Sequence, residues 1–151
     1  MTTTKQQIDT FFKSEYFAIA GVSRNEKKFG RKVYDELLRN NYKVVPINPL
    51  TKEINGSTCY PSVDELPNHI ESLLILTPKV QTDQILKQAI NKDIKNIWVQ
   101  QFSNTNETLR IAQQHNQDII HSQCIFMYAE PVKGFHKFHR TIVKVFGKLP
   151  N

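Results

Sequence analysis

The sequence predicts an α/β fold: an open parallel sheet of about five strands with helices on its faces. Three observations lead there. Short apolar runs without helical spacing alternate with segments whose apolar residues recur every three or four positions. The helical segments between them run about 10–15 residues, the length a right-handed βαβ crossover takes. Gly or Pro punctuates the chain where the apolar runs end, at Gly21, Asn48-Pro49 and Pro78.

In chain order, Ile8, Phe11 and Phe12 mark an N-terminal helix around Gln6 to Lys13, outside the alternating plan. Tyr16-Phe-Ala-Ile-Ala20 reads as a buried strand closed by Gly21. After a polar loop, Gly30 opens a helix carrying Val33, Tyr34, Leu37 and Leu38, which Asn40-Asn41 ends. Lys43 to Ile47 is the second strand. Leu50 to Pro67, with Gly56, Pro61 and Pro67, reads as a loop with one short strand at Thr58-Cys59-Tyr60. Ser72 to Thr77 is the most apolar run and therefore a central strand, apolar on both faces. Val80, Ile85, Leu86, Ala89 and Ile90 follow as an amphipathic helix, then Asn96 to Gln100 as a strand. Asn104 or Thr105 caps a helix with Leu109, Ile111 and Ala112, and Asp118 to His121 is the last strand. A second extra helix, basic and at about 131–147, carries Phe135, Phe138, Ile142 and Phe146 on one face. The whole matches a Rossmann-like plan, with one domain expected over 1–151.

With 151 residues, 39% of them hydrophobic, the chain is long enough for one ordinary core and too apolar for disorder. No apolar run approaches the roughly 18 residues that cross a bilayer, and MTTTKQQIDTFF lacks a signal-like apolar stretch. A cytoplasmic protein without membrane contact is the expectation. Cys59 and Cys124 are too few for a disulfide framework or a four-cysteine zinc site. The net charge of +6 points to an anionic partner: nucleic acid, a membrane surface or a nucleotide cofactor. The charge is concentrated in two places. Arg24, Lys27, Lys28, Arg31 and Lys32 lie between the first strand and its helix, and five more cations follow Glu130.

In such a sheet, ligands bind at the carboxyl ends of the strands where strand order reverses. Gly21 lets the backbone turn sharply and approach a ligand, and Gly30 stands at the helix start, where unpaired N–H groups attract anions. Ser23, Arg24, Lys27 and Lys28 supply a hydroxyl and cations for phosphates. The bland alternative is a turn glycine beside a solvated basic loop. The spacing is not G-x-G-x-x-G, which weighs against a nicotinamide cofactor. An NAD site also wants an acid after the second strand, whereas Asn48-Pro49 stands there with Lys52 close behind. A cation suits a phosphorylated ribose, which leaves NADP or coenzyme A.

Gly21-Val22-Ser23, Lys28-Phe29-Gly30, Val45-Pro46-Ile47-Asn48-Pro49, Gly56, Cys59-Tyr60-Pro61-Ser62 and Trp98-Val99-Gln100-Gln101 together resemble the small CoA-binding domain proteins. These are similar to the nucleotide-binding domain of the succinyl-CoA synthetase α subunit, and the resemblance covers Phe17 to Cys124. It implies coenzyme A or an acyl-CoA as ligand. By it, Gly21, Ser23, Arg24 and Lys28 hold the pyrophosphate within a loop that includes Val22, Phe29 and Gly30. Asn48, Pro49 and Lys52 serve the adenosine 3′-phosphate region. Thr77 and Pro78 border the pantetheine path, with Gln100 and Gln101 further along it. Two segments depart from the family pattern: Gln100-Gln101-Phe102-Ser103, where a glycine-containing turn is usual, and the C-terminal stretch from Glu130 to Arg140.

His136 and His139, three apart on the expected C-terminal helix, are explained by a solvated face as well as by a metal. Cys124 reads more simply as a structural thiol than as a nucleophile. No Ser/His/acid or Cys/His arrangement is readable by spacing. Two function classes therefore compete. One is a CoA-binding module without catalysis of its own, able to act with a protein partner or as a homo-oligomer. The other is an enzyme, either NADP-linked or processing acyl-CoA with a partner subunit. A nucleic-acid binder is a distant third.

Overall fold

The computed structural model describes residues 1–129, so the basic helix expected at 131–147, with His136 and His139, lies outside the described residues. The sheet has five parallel strands, β1 (Tyr16–Ala20), β2 (Lys43–Ile47), β5 (Ser72–Ile75), β6 (Asn96–Gln100) and β7 (Ile119–Gln123). They lie in the order β2-β1-β5-β6-β7, which puts the most apolar run at the centre. Between β2 and β5 a small antiparallel pair, β3 (Glu53–Ile54) and β4 (Ser57–Thr58), turns at Asn55-Gly56. Both turn residues have positive φ, the conformation that Asn-Gly favours in a tight hairpin.

The single strand expected at Thr58-Cys59-Tyr60 is divided. Thr58 pairs backwards onto β3, while Tyr60 forms a parallel bridge to Ile47 on the outer side of β2. The Tyr60 N–H donates to Pro46 O at 2.9 Å and its carbonyl accepts from Asn48 N at 2.9 Å. With Tyr60 counted as a third position, the sheet order is that of a dinucleotide-binding fold, and it reverses between β1 and β5. The fold is Rossmann-like.

Side chains alternate along β1 and so feed two cores. Phe17 and Ile19 face the side covered by α1 (Lys5–Lys13) and α2 (Phe29–Arg39). Ala18 and Ala20 face the side covered by α3 (Lys79–Asn91) and α4 (Asn106–Gln114). A capping box starts α1, with Thr4 and Gln7 each satisfying the other's backbone N–H. Its Phe11, fully buried, packs 4.9 Å from Phe17 and 5.4 Å from Trp98, ring centre to ring centre. Thr105 caps α4 in the same way, and the Asp83 carboxylate of α3 accepts from the Thr105 and Thr108 hydroxyls, clasping the two helices. On α3 the buried seam is Thr82, Leu86 and Ala89 rather than one begun by Val80, which is 89% exposed. A polar residue takes the seam because the Thr82 hydroxyl finds Thr77 Oγ1 at 3.1 Å. The last strand runs to Gln123, two residues beyond the expected end, after a register shift against β6. No helix among the described residues is long and apolar enough to cross a membrane.

Candidate functional site

The reversal point opens at the carboxyl ends of β1, β2 and β5. Gly21 leaves β1 at φ 98, and its N–H donates to Ile47 O at 3.4 Å. A Cβ on Gly21 would stand 3.0 Å from the Leu76 carbonyl carbon and 3.2 Å from Thr77 Cγ2. Gly30, in the first turn of α2, is tighter still. Its Cβ would lie 2.1 Å from the Gly21 carbonyl oxygen, so no larger residue fits without moving the turn. The two glycines thus bring the start of α2 against the end of β1. Lys28 is the N-cap of α2, makes no side-chain capping bond, and no acid stands in the first turn. An anion at this end would meet amide N–H groups and the positive end of the helix dipole.

The loop between the glycines is folded on itself. Ser23 Oγ accepts from Asn25 N at 3.1 Å, Asn25 Oδ1 from Lys27 N at 2.9 Å, and Asn25 O from Lys28 N at 3.1 Å. Arg24, Lys27 and Lys28 are exposed, and none has an ion pair among the described residues. Arg31, which the sequence groups with the basic stretch from Arg24 to Lys32, is buried. It donates to the Asp35 carboxylate at 2.9 Å, to the Arg24 carbonyl at 3.2 Å and to Asn55 Oδ1. Asn55 in turn donates to Asp35 Oδ1 at 2.7 Å, so the hairpin turn, the helix and the basic loop share one network. A buried charge of this kind is costly unless fully partnered, and here it is. The Asn55-Gly56 hairpin signal was present in the sequence; its link to Arg31 was not.

A cleft of about 480 Å³ adjoins this turn, between the ends of β1, β2 and β5 and one face of α3. Six of the expected site residues line it: Gly21, Val22, Ser23, Asn48, Pro49 and Thr77. Arg24, Lys28, Phe29 and Gly30 belong to the adjoining loop and helix start rather than to the cleft wall, and Lys52 is exposed beyond it. Asn48 also holds the site together, since its amide donates to Val22 O at 2.7 Å and its oxygen accepts from Leu50 N at 2.8 Å. The Thr77 hydroxyl is committed to Thr82, and Pro78 caps α3 with its side chain exposed. Gln100 is buried, with Oε1 accepting from Ile125 N at 3.1 Å, and Gln101 N donates to Gln123 O at 3.1 Å. These two stand at the end of β6, next to β5 and two places from β1, and do not line the cleft. Pro61 and Ser62 also line the cleft, as do Gln81, Gln84 and Gln88, three glutamines on one face of α3 whose helical spacing is visible in the sequence. Every residue of the lining is uncharged and none is acid, base or thiol.

Cys59, the buried thiol near this region, contacts Asn48 O at 3.7 Å, and burial pushes it above the ordinary thiol range. Among the described residues no cluster of His, Cys, Asp and Glu has the makings of a metal centre.

Comparison with known proteins identifies the family and agrees with the fold. The chain is 32% identical over 140 residues to an acetate–CoA ligase (ADP-forming) of Methanocaldococcus jannaschii, covering 87% of this chain and 19% of that one. It is 29% identical over 129 residues to the acetate–CoA ligase (ADP-forming) II subunit alpha of Pyrococcus furiosus, covering 78% of this chain and 28% of that one. The chain therefore spans under a third of these curated relatives. A hypothetical protein of Pyrococcus horikoshii OT3 superposes with a TM-score of 0.75 at 28% identity, over 87% of this chain and 94% of its own. The family described as CoA binding domain matches residues 15–130, most of the described fold and all of the glycine turn, the cleft and the ends of the strands that frame it; the chain belongs to that family.

Proposed function

We propose that the chain holds coenzyme A or an acyl-CoA at the β1–β5 reversal point and performs no chemistry of its own. Family membership makes coenzyme A the ligand class. The observation that carries the site is the pairing of Gly21 and Gly30, which presents an uncapped helix start beside exposed Arg24, Lys27 and Lys28. In this reading the diphosphate lies over that turn, with Ser23, Arg24 and Lys28 as its donors and Val22, Phe29 and Gly30 as its frame. The adenosine enters the cleft beside Asn48 and Pro49, with Lys52 reaching its 3′-phosphate from the rim. The pantetheine arm leaves past Thr77 and Pro78 toward Gln100 and Gln101.

The relatives named as acetate–CoA ligases are several times longer than the matched segment, which supports a protein partner as the seat of any chemistry. Calorimetry with CoA, NADP and NAD tests the reading. CoA should bind tightest; tighter binding of either dinucleotide would overturn it. Mass spectrometry of the purified protein should find a copurified CoA species.

A further inference from the structure

We infer that the glutamine face of α3, formed by Gln81, Gln84 and Gln88, reads the base of the ligand and makes the site select adenine over other purines. The inference rests on the coenzyme A reading and names the groups that give its nucleotide end specificity. The three glutamines recur at three- and four-residue spacing, and all of them line the cleft. The charged residues of the same helix, Lys79, Asp83 and Lys87, recur every four positions on a separate stripe. Asp83, on that stripe, meets Thr105 and Thr108 of α4 instead. A stripe turned only to solvent gains nothing from excluding charge, whereas one turned to a neutral group does.

Other polar side chains of the cleft are committed to the fold. The Asn48 amide bonds Val22 O and Leu50 N, and the Thr77 hydroxyl bonds Thr82. None of the three glutamine amides has a hydrogen-bond partner among the described residues. They are left, with the Ser23 and Ser62 hydroxyls, for a ligand. No cation lines the cleft, so its occupant is a neutral part of the ligand and not a phosphate. The same cleft is lined by Ile47, Val63 and Ile85 and by the rings of Pro49 and Pro61. Apolar side chains for the ring faces and amides for the ring edge suit a flat heterocycle. A carboxamide carries a donor and an acceptor side by side, and adenine presents the matching pair at N6 and N7. Guanine and hypoxanthine put two acceptors, O6 and N7, on that edge, which leaves the glutamine carbonyl facing another oxygen.

The test compares CoA with its analogue carrying hypoxanthine in place of adenine, by calorimetry. The proteins are wild type, Gln81→Met, Gln84→Met and Gln88→Met, each losing the amide at similar volume, and Lys87→Met on the charged stripe as control. Wild type should bind CoA about tenfold tighter than the analogue, the scale of one bidentate contact to a base. That preference should fall to within about twofold in at least one glutamine variant, through weaker CoA binding with the analogue unchanged. Lys87→Met should keep it. Equal binding of both ligands by wild type, or a preference that survives in all three glutamine variants, would overturn the inference while leaving CoA binding intact. Equal losses for both ligands would also overturn it, because the glutamines would then hold the pantetheine arm that the two ligands share. Failure of wild type to bind either ligand would overturn the coenzyme A reading and this inference with it.

Discussion

Replacing Gly30 with Ala separates the two things a helix glycine can do. By helix propensity alone the change should stabilise α2 by about 0.8–1 kcal/mol. The structure reverses that expectation, because the new Cβ would stand 2.1 Å from Gly21 O and 3.0 Å from Gly21 C, both backbone atoms. Relieving the overlap requires α2 to move away from the β1 turn, or the turn to move toward Leu76 and Thr77, where Gly21 already has little room. Overpacking of this sort costs about 1–3 kcal/mol, and the helix gain offsets part of it. A net loss of up to about 2 kcal/mol should lower the melting temperature by up to about 8 °C for a chain of this size. CoA affinity should fall at least about tenfold, since the turn and the helix start no longer meet over the phosphates. Gly56→Ala is the control: its φ is 74 but nothing lies within 4 Å, so it should cost backbone strain alone and leave affinity unchanged. Denaturant titration and calorimetry on both variants decide it. A Gly30→Ala protein as stable as wild type, with unchanged affinity, would refute the reasoning.

Three further outcomes are expected. Lys28→Ala should weaken CoA by about 1–3 kcal/mol, the range for a charge-assisted hydrogen bond, with the thermal transition retained because the side chain is exposed and caps nothing. An unchanged affinity by calorimetry would place Lys28 in solvent. Dephospho-CoA should bind wild type more weakly than CoA, and Lys52→Ala should remove most of that difference; equal losses for both ligands would reassign the 3′-phosphate. Burial disfavours the Cys59 thiolate, so at pH 8 a thiol reagent should label the half-buried Cys124 first, and Cys59 only after unfolding. Equal labelling rates in the native protein would show that the β2–β4 region opens freely.

The strands and helices were legible because each is a local pattern. Tyr16–Ala20 and Lys43–Ile47 match the structure residue for residue, since a buried strand between turn signals needs only its own side chains to declare itself. Gly21 and Gly30 were legible as the glycines of the turn for the same reason, standing where a strand ends and a helix begins. Val80 misled because hydrophobicity says that a residue prefers burial, whereas whether it is buried depends on the angle at which α3 meets the sheet. Thr82 won that position through a hydroxyl supplied by Thr77, five residues away. Arg31 shows the same limit more strongly. The cations Arg24, Lys27 and Lys28 just before it are exposed, and only the hairpin folded back from Asn55 completes the set of partners that lets Arg31 be buried. Composition and periodicity determined the layers, the strand count and the basic loop after β1, because these follow from interactions within a few residues of one another. The tertiary structure decided which side chains line the cleft and which are committed to holding it open, because each of these depends on atoms brought together from distant parts of the chain.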